Sequence, residues 1–173
     1  GSLSILFAGN VGDAQDFPAI LDAADRLKHR NDIRWLIVGD GRRFNWVVEQ
    51  VQLRGLQEKV LLLGRFPVER MPAFYAQADA LLVSLKKDPT FSMTIPGKVQ
   101  SYLAAGRPIL GMLDGEGADV IRRAGAGMVC PAGDSASLAE VIQRFATTSQ
   151  DERRRMGEQG QIYANAEFDR NTL

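Results

Sequence analysis

Six short apolar runs, at residues 3–8, 33–38, 60–63, 80–84, 109–112 and 127–130, alternate with stretches of helical periodicity. That alternation leaves few architectures open. The runs are nearly continuous in Leu, Ile, Val and Ala, as strands covered on both faces must be, rather than polar at every second place. Such strands, each followed by a helix, predict an α/β fold: a doubly wound, six-stranded parallel sheet of Rossmann-like type. Helical patterns fall at 15–29, 44–53, 68–77, 97–106, 114–124, 135–145 and 151–167. Pro18 fits only the first turn of the first helix, whose apolar face is Phe17, Ile20, Leu21, Ala24 and Leu27. In the second, Trp46, Val47, Val48 and Val51 turn inward. Ser135 is the expected N-cap of the sixth helix, and Met156, Ile162 and Tyr163 are the expected apolar side of the last. No linker interrupts the pattern, so residues 3–173 read as one domain. Gly1-Ser2 reads as an expression scar, which makes the chain a piece of something longer.

In a sheet of this kind ligands bind beyond the carboxyl ends of the strands, near the point where strand order reverses. The loops that matter are then 9–15, 39–42, 64–66 and 86–98. The last of these is polar and meets a helix at Ile95-Pro96-Gly97-Lys98-Val99. With Pro96 at the first helical position, the helix start directs free backbone N–H groups forward, and Lys98 adds charge to its positive end. The ligand this suits is a diphosphate.

Several function classes fall away on composition. The 173 residues hold 21 basic and 21 acidic side chains, so there is no basic footprint for nucleic acid. No run approaches the length needed to span a bilayer, which with a single cysteine, Cys130, suggests a cytoplasmic chain. Cys130 is a core residue at a strand end, His29 a surface residue at a helix terminus, and Lys86-Lys87-Asp88 a solvated loop. Gly9-Asn10-Val11-Gly12 lacks the third glycine of the dinucleotide fingerprint, and no acidic residue stands where one would hold a ribose. Nicotinamide and flavin cofactors are therefore not expected. Arg65 follows a strand directly at the ligand edge, where it serves either as a phosphate or base contact or as a solvated charge. No Ser/His/Asp set, metal-ligand spacing or carboxylate pair makes a self-sufficient catalytic centre.

Pro96-Gly97-Lys98, followed by Tyr102-Leu103-Ala104-Ala105-Gly106-Arg107-Pro108-Ile109, resembles the donor-binding segment of GT-B glycosyltransferases, specifically glycosyltransferase family 4. Further blocks follow in register: Phe7-Ala8-Gly9-Asn10-Val11-Gly12, Leu36-Ile37-Val38-Gly39-Asp40-Gly41, Leu63-Gly64-Arg65-Phe66-Pro67, Met71-Pro72 with Tyr75, and Gly125-Ala126-Gly127. Ile95-Pro96-Gly97-Lys98 is similar to the branch that builds O-antigen, capsule or exopolysaccharide, typified by probable N-acetyl-fucosaminyl transferases. The resemblance implies the C-terminal half of a two-domain enzyme. This half would bind a nucleotide-sugar donor, usually UDP-linked, without a metal or separate cofactor and with retention of configuration. An absent N-terminal domain would hold a carbohydrate or lipid-linked acceptor. Any association with the inner membrane face would run through that half, and the isolated domain would turn nothing over.

Residue by residue, the resemblance places Gly9, Asn10, Gly12 and Gln15 near the diphosphate and sugar and Arg65 and Phe66 at the base. It puts the amides of Gly97, Lys98 and Val99 on the diphosphate, and Ser101 near the ribose. Lys98 and Arg65 are the candidates for stabilising the leaving diphosphate. The chain departs from the family pattern at Met93 and Ser101, where two glutamates are usual, and at Asn10 and Gln15, where Arg and Lys are usual. Two other readings remain at this level: a nucleotide-sugar epimerase of the same architecture, and a non-catalytic nucleotide-binding module.

Overall fold

The computed structural model describes residues 2–172, with side chains through residue 167; Gly1 and Leu173 lie outside the described residues. Its strands are β1 (Leu3–Ala8), β2 (Ile33–Val38), β3 (Val60–Gly64), β4 (Ala80–Ser84), β5 (Ile109–Met112) and β6 (Gly127–Cys130). They form one sheet in the order β3-β2-β1-β4-β5-β6, and every pairing is parallel. Parallel neighbours need crossover connections, which the helices provide. These are α1 (Phe17–Arg26), α2 (Phe44–Leu53), α3 (Met71–Gln77), α4 (Pro89–Ser92), α5 (Gly97–Ala105), α6 (Glu116–Ala124), α7 (Ser135–Ala146) and α8 (Gln150–Thr172). The fold is the doubly wound α/β sheet that the apolar runs predict.

Each face of the sheet carries its own core. One, under α1, α2 and α7, gathers Phe7, Phe17, Trp35 and Phe145; the other, under α5 and α6, gathers Leu6, Val83, Tyr102 and Ile121. Strand order reverses between β1 and β4, and there the sheet opens. The β1–β2 ladder continues to Ala8–Val38, while the β1–β4 ladder stops at Phe7–Leu82. The split is the mouth of a cleft.

Four local expectations need correction. The first helix starts at Phe17, not residue 15, because Asp16 adopts φ 55° and caps it by accepting the Ala19 N–H; residues 13–15 form a separate 3-10 turn. Pro96 is the N-cap of α5 rather than its first helical residue. Asp134, not Ser135, caps α7, its carboxylate accepting the Ser137 N–H at 3.0 Å. On α8 Ile162 is 68% exposed, and the helix packs instead through Gly157, Gly160 and Ala164, flanked by Met156 and Tyr163. Cys130 is buried, and its thiol is pushed up to about 12 by burial, an inert core position. His29 is exposed, as expected of a surface residue.

Candidate functional site

The loops that follow β1 and β2 are knitted together backbone to backbone. Gly9 N–H donates to Val38 O, Val11 N–H to Asp40 O and Arg43 N–H to Val11 O, and Gly39 N–H reaches Gly64 O at the end of β3. Gly39 has φ +143°, and a Cβ there would stand 1.8 Å from Gly9 O, so only glycine closes this junction. From the other side, the Ser84 hydroxyl at the end of β4 donates to Gln15 O at 2.6 Å, and Lys86 N–H donates to Ala14 O. The ends of β1 and β4, parted in the sheet, are thus rejoined through the loop beyond them.

Above the split sits the start of α5. Asp88 caps the one-turn α4 by accepting the Thr90 N–H, and this turn leads to Pro96, which rests against Gly117 of α6. Among the described residues, the α5 start leaves two N–H groups, those of Gly97 and Lys98, with no protein acceptor. The third amide expected there is not available: Val99 is fully buried and its N–H donates to Pro96 O at 3.0 Å. Gly97 itself is open, with nothing within 4 Å of a Cβ placed on it.

Lys98 reaches from α5 across the mouth, and its Cε would lie 3.3 Å from a Cβ on Gly9. The side chain is half-buried and, among the described residues, has no carboxylate partner, and desolvation holds its pKa below the usual lysine value. It divides the cleft in two. The compartment toward β2 and β3, about 290 Å³, is lined by Gly9, Asn10, Asp40, Arg65, Phe66 and Met71. The compartment toward β4, about 220 Å³, is lined by Phe7, Gln15, Val83, Leu85, Pro96 and Gly97. Lys98, Gly9 and Asn10 border both.

The expected site residues thus converge only in part. Gly9, Asn10, Arg65, Phe66, Gly97 and Lys98 surround one cleft. Arg65 is exposed at its rim, and Phe66 packs on Phe74 with ring centroids 4.7 Å apart. Gln15 lines the β4 side but accepts the Gly12 N–H at 3.0 Å, so that amide is spent within its own loop. Ser101 lines a different depression, between α3 and α5 beside Tyr75, and its hydroxyl donates to Gly97 O. Met93 is 77% exposed.

Two features were not anticipated from the sequence. Tyr102 is fully buried, and its hydroxyl accepts the Ala8 N–H and donates to Leu82 O, each at 3.0 Å. Burial pushes its phenol above the ordinary value. A tyrosine in an apolar helical stripe reads as core, and the one available signal is that a buried phenol needs partners. The second is Arg43, which pairs with Asp13 and, with Arg42, holds that carboxylate's pKa below its usual range. Among the described residues, no three His, Cys, Asp or Glu side chains gather as a metal-ligand group, and no helix is long and apolar enough to cross a membrane.

A six-stranded, all-parallel sheet with flanking helices is the fold of the C-terminal, Rossmann-like domain of GT-B glycosyltransferases. It superposes on Anabaena HepE, solved in complex with UDP and glucose, with a TM-score of 0.81 at 15% identity, covering 95% of this chain and 44% of that one. The C-terminal domain of LpcC, a glycosyl transferase group 1 family protein from Francisella tularensis, gives a TM-score of 0.76 at 13% identity, covering 97% of this chain and 87% of that one. Residues 2–148 match the profile of glycosyl transferases group 1, and the chain belongs to that family. WcaI of Escherichia coli (strain K12), named provisionally as a colanic acid biosynthesis glycosyl transferase, is 31% identical over 105 residues. That match takes in 59% of this chain and 24% of WcaI. The chain thus spans under half the length of HepE and about a quarter of WcaI.

Proposed function

We propose that this chain is the donor-binding half of a family 4 glycosyltransferase that moves a sugar from a UDP-sugar to a carbohydrate or lipid-linked acceptor in bacterial surface polysaccharide synthesis. The N-acetyl-fucosaminyl type is the branch it suits. One observation carries the reading: an unpaired, half-buried Lys98 and the free N–H groups of Gly97 and Lys98 converge over Gly9 at the switch point. Such an arrangement offers an anion one cation and two donors for which no protein acceptor competes.

In the reaction, the bond between the anomeric carbon and the diphosphate oxygen breaks and negative charge grows on the leaving diphosphate. The two amides and the Lys98 ammonium stand where that charge develops and stabilise it without a metal. Arg65 at the rim adds a further positive charge, and the exposed part of Phe66 offers the base an apolar surface. Retention of configuration, acceptor binding by an N-terminal domain and action in the cytoplasm at the inner membrane face belong to the same proposal. HepE, with its bound UDP and glucose, supports the nucleotide.

Calorimetric titration of UDP into the folded chain tests the site. Lys98→Ala is expected to weaken UDP by about tenfold, the scale of one charge-assisted contact, with the melting temperature nearly unchanged. Equal affinity in the variant removes Lys98 from the site. Absence of heat and of chemical-shift change at millimolar UDP sinks the reading.

A further inference from the structure

Tyr102 lines neither compartment of the cleft, yet the two strand ends beneath the cleft and Lys98 above it all meet at this side chain. Where the β1–β4 ladder stops, the next N–H on β1, that of Ala8, and the carbonyl of Leu82 on β4 face the split. Both residues are buried, at 2% and 0% exposure, and the Tyr102 hydroxyl satisfies both, accepting from one and donating to the other. Ala8 is the residue before Gly9. One turn earlier on α5 is Lys98, whose Nζ lies 5.9 Å from the Tyr102 ring centroid.

From this geometry we infer that Tyr102 is a positioning residue: its hydroxyl, bolted to Ala8 and Leu82, sets the place of the α5 amides and of Lys98 relative to Gly9. The inference rests on reading the cleft as a nucleoside diphosphate site. A phenol ring has only two side-chain torsions, so a hydroxyl fixed at two backbone points holds α5 at one distance from both strands. Filling the core asks only for the ring, which Phe supplies equally well. The hydroxyl has its own work at the split, and its loss leaves a buried N–H and a buried carbonyl unmade. Toward the Arg65–Phe66 end Tyr102 offers its ring, packed edge-on to Tyr75 of α3 with centroids 6.1 Å apart, a contact that Phe keeps, so the loss of the hydroxyl alone is expected to act on the phosphates rather than on the nucleoside.

Titrating UDP and uridine separately into the wild-type chain and Tyr102→Phe by chemical-shift perturbation, beside thermal melts of both, tests this. Expected are a lower melting temperature, a ~10-fold loss for UDP and unchanged uridine binding, so that the UDP-to-uridine affinity ratio collapses. An unchanged ratio, whatever the melting temperature does, overturns the positioning role and leaves Tyr102 as packing alone. If the wild type binds uridine and UDP equally, or neither, it is the diphosphate reading that fails, and the role of Tyr102 falls with it. Should the variant be unfolded at 25 °C, titration in the cold with trimethylamine oxide, which favours the compact state, decides between the same outcomes.

Discussion

The two walls of the cleft use glycine in opposite ways. On the wall made by the loops after β1 and β2, glycines are where backbone meets backbone: Gly39 lies against Gly9 O, and a Cβ on Gly41 would stand 2.5 Å from Val11 O. On the wall made by α5, Gly97 touches nothing. Absence of a side chain is a packing requirement on the first wall and free space on the second. A bare loop is therefore not by itself evidence of a ligand; a bare position with unspent amides and an unpaired cation is.

The largest effect expected from this contrast is on stability. Gly39→Ala places a methyl 1.8 Å from a carbonyl oxygen at φ +143°, and neither partner is a flexible side chain that can yield. The variant is expected to lose more than ~3 kcal/mol, read by chemical denaturation. A near-native melting temperature would break the distinction between the walls.

A smaller effect concerns pH. Burial lowers the folded pKa of Lys98 from 10.5. Between that lowered value and 10.5 the unfolded chain binds more protons than the folded one, so stability against unfolding rises with pH through that window. Lys98→Met is expected to flatten that rise. UDP acts in the other sense, because phosphates favour the ammonium, and its affinity is expected to fall as pH climbs through the lowered value. The nearby phenols of Tyr75 and Tyr102 are both raised by burial, which sets their titration later. Calorimetry in buffers of different ionisation enthalpy reads the proton uptake. A UDP affinity flat across the window would take Lys98 off the ligand.

The smallest effect sharpens the open wall. Gly97→Ala adds a methyl in free space at a helix start, and is expected to leave the stability equal or raise it by up to ~0.5–1 kcal/mol. The same methyl crowds the approach to two free amides, so UDP should weaken a fewfold. Improved stability with unchanged UDP binding would place the phosphates elsewhere.

Much of the fold was legible because burial on both faces writes itself plainly. Five of the six strands begin and end at the residues where their apolar runs do, the third running one residue further to Gly64, and α2 spans 44–53 as its periodicity has it. Helix ends were less so, since a cap is decided by one residue's dihedrals: Asp16 in the left-handed region and Pro96 just outside α5 are invisible to periodicity. On α8 the pattern misleads for a physical reason. The packed face is glycine and alanine, which carry little hydrophobic signal but let the backbone approach closely, while Ile162 faces out. At the site, Gly9, Lys98 and Arg65 were readable as residue types beside strand ends. Tyr102 was not, because its role depends on where two strands part, a property of the sheet rather than of any segment.

That close approach on α8 has a mechanical side. A Cβ on Gly157 would sit 2.1 Å from Gly106 O, and one on Gly160 would stand 3.1 Å from Ala126 Cβ and 3.2 Å from Leu103 Cδ2. Side-chain layers between helices act as a cushion that tolerates sliding; where Gly157 meets Gly106, just past the end of α5, backbone lies on backbone, with Leu103 and Gln161 filling the space beside it. At that crossing α8 has little room to slide along α5, so displacing α8 is expected to displace the helix whose other end presents Gly97 and Lys98.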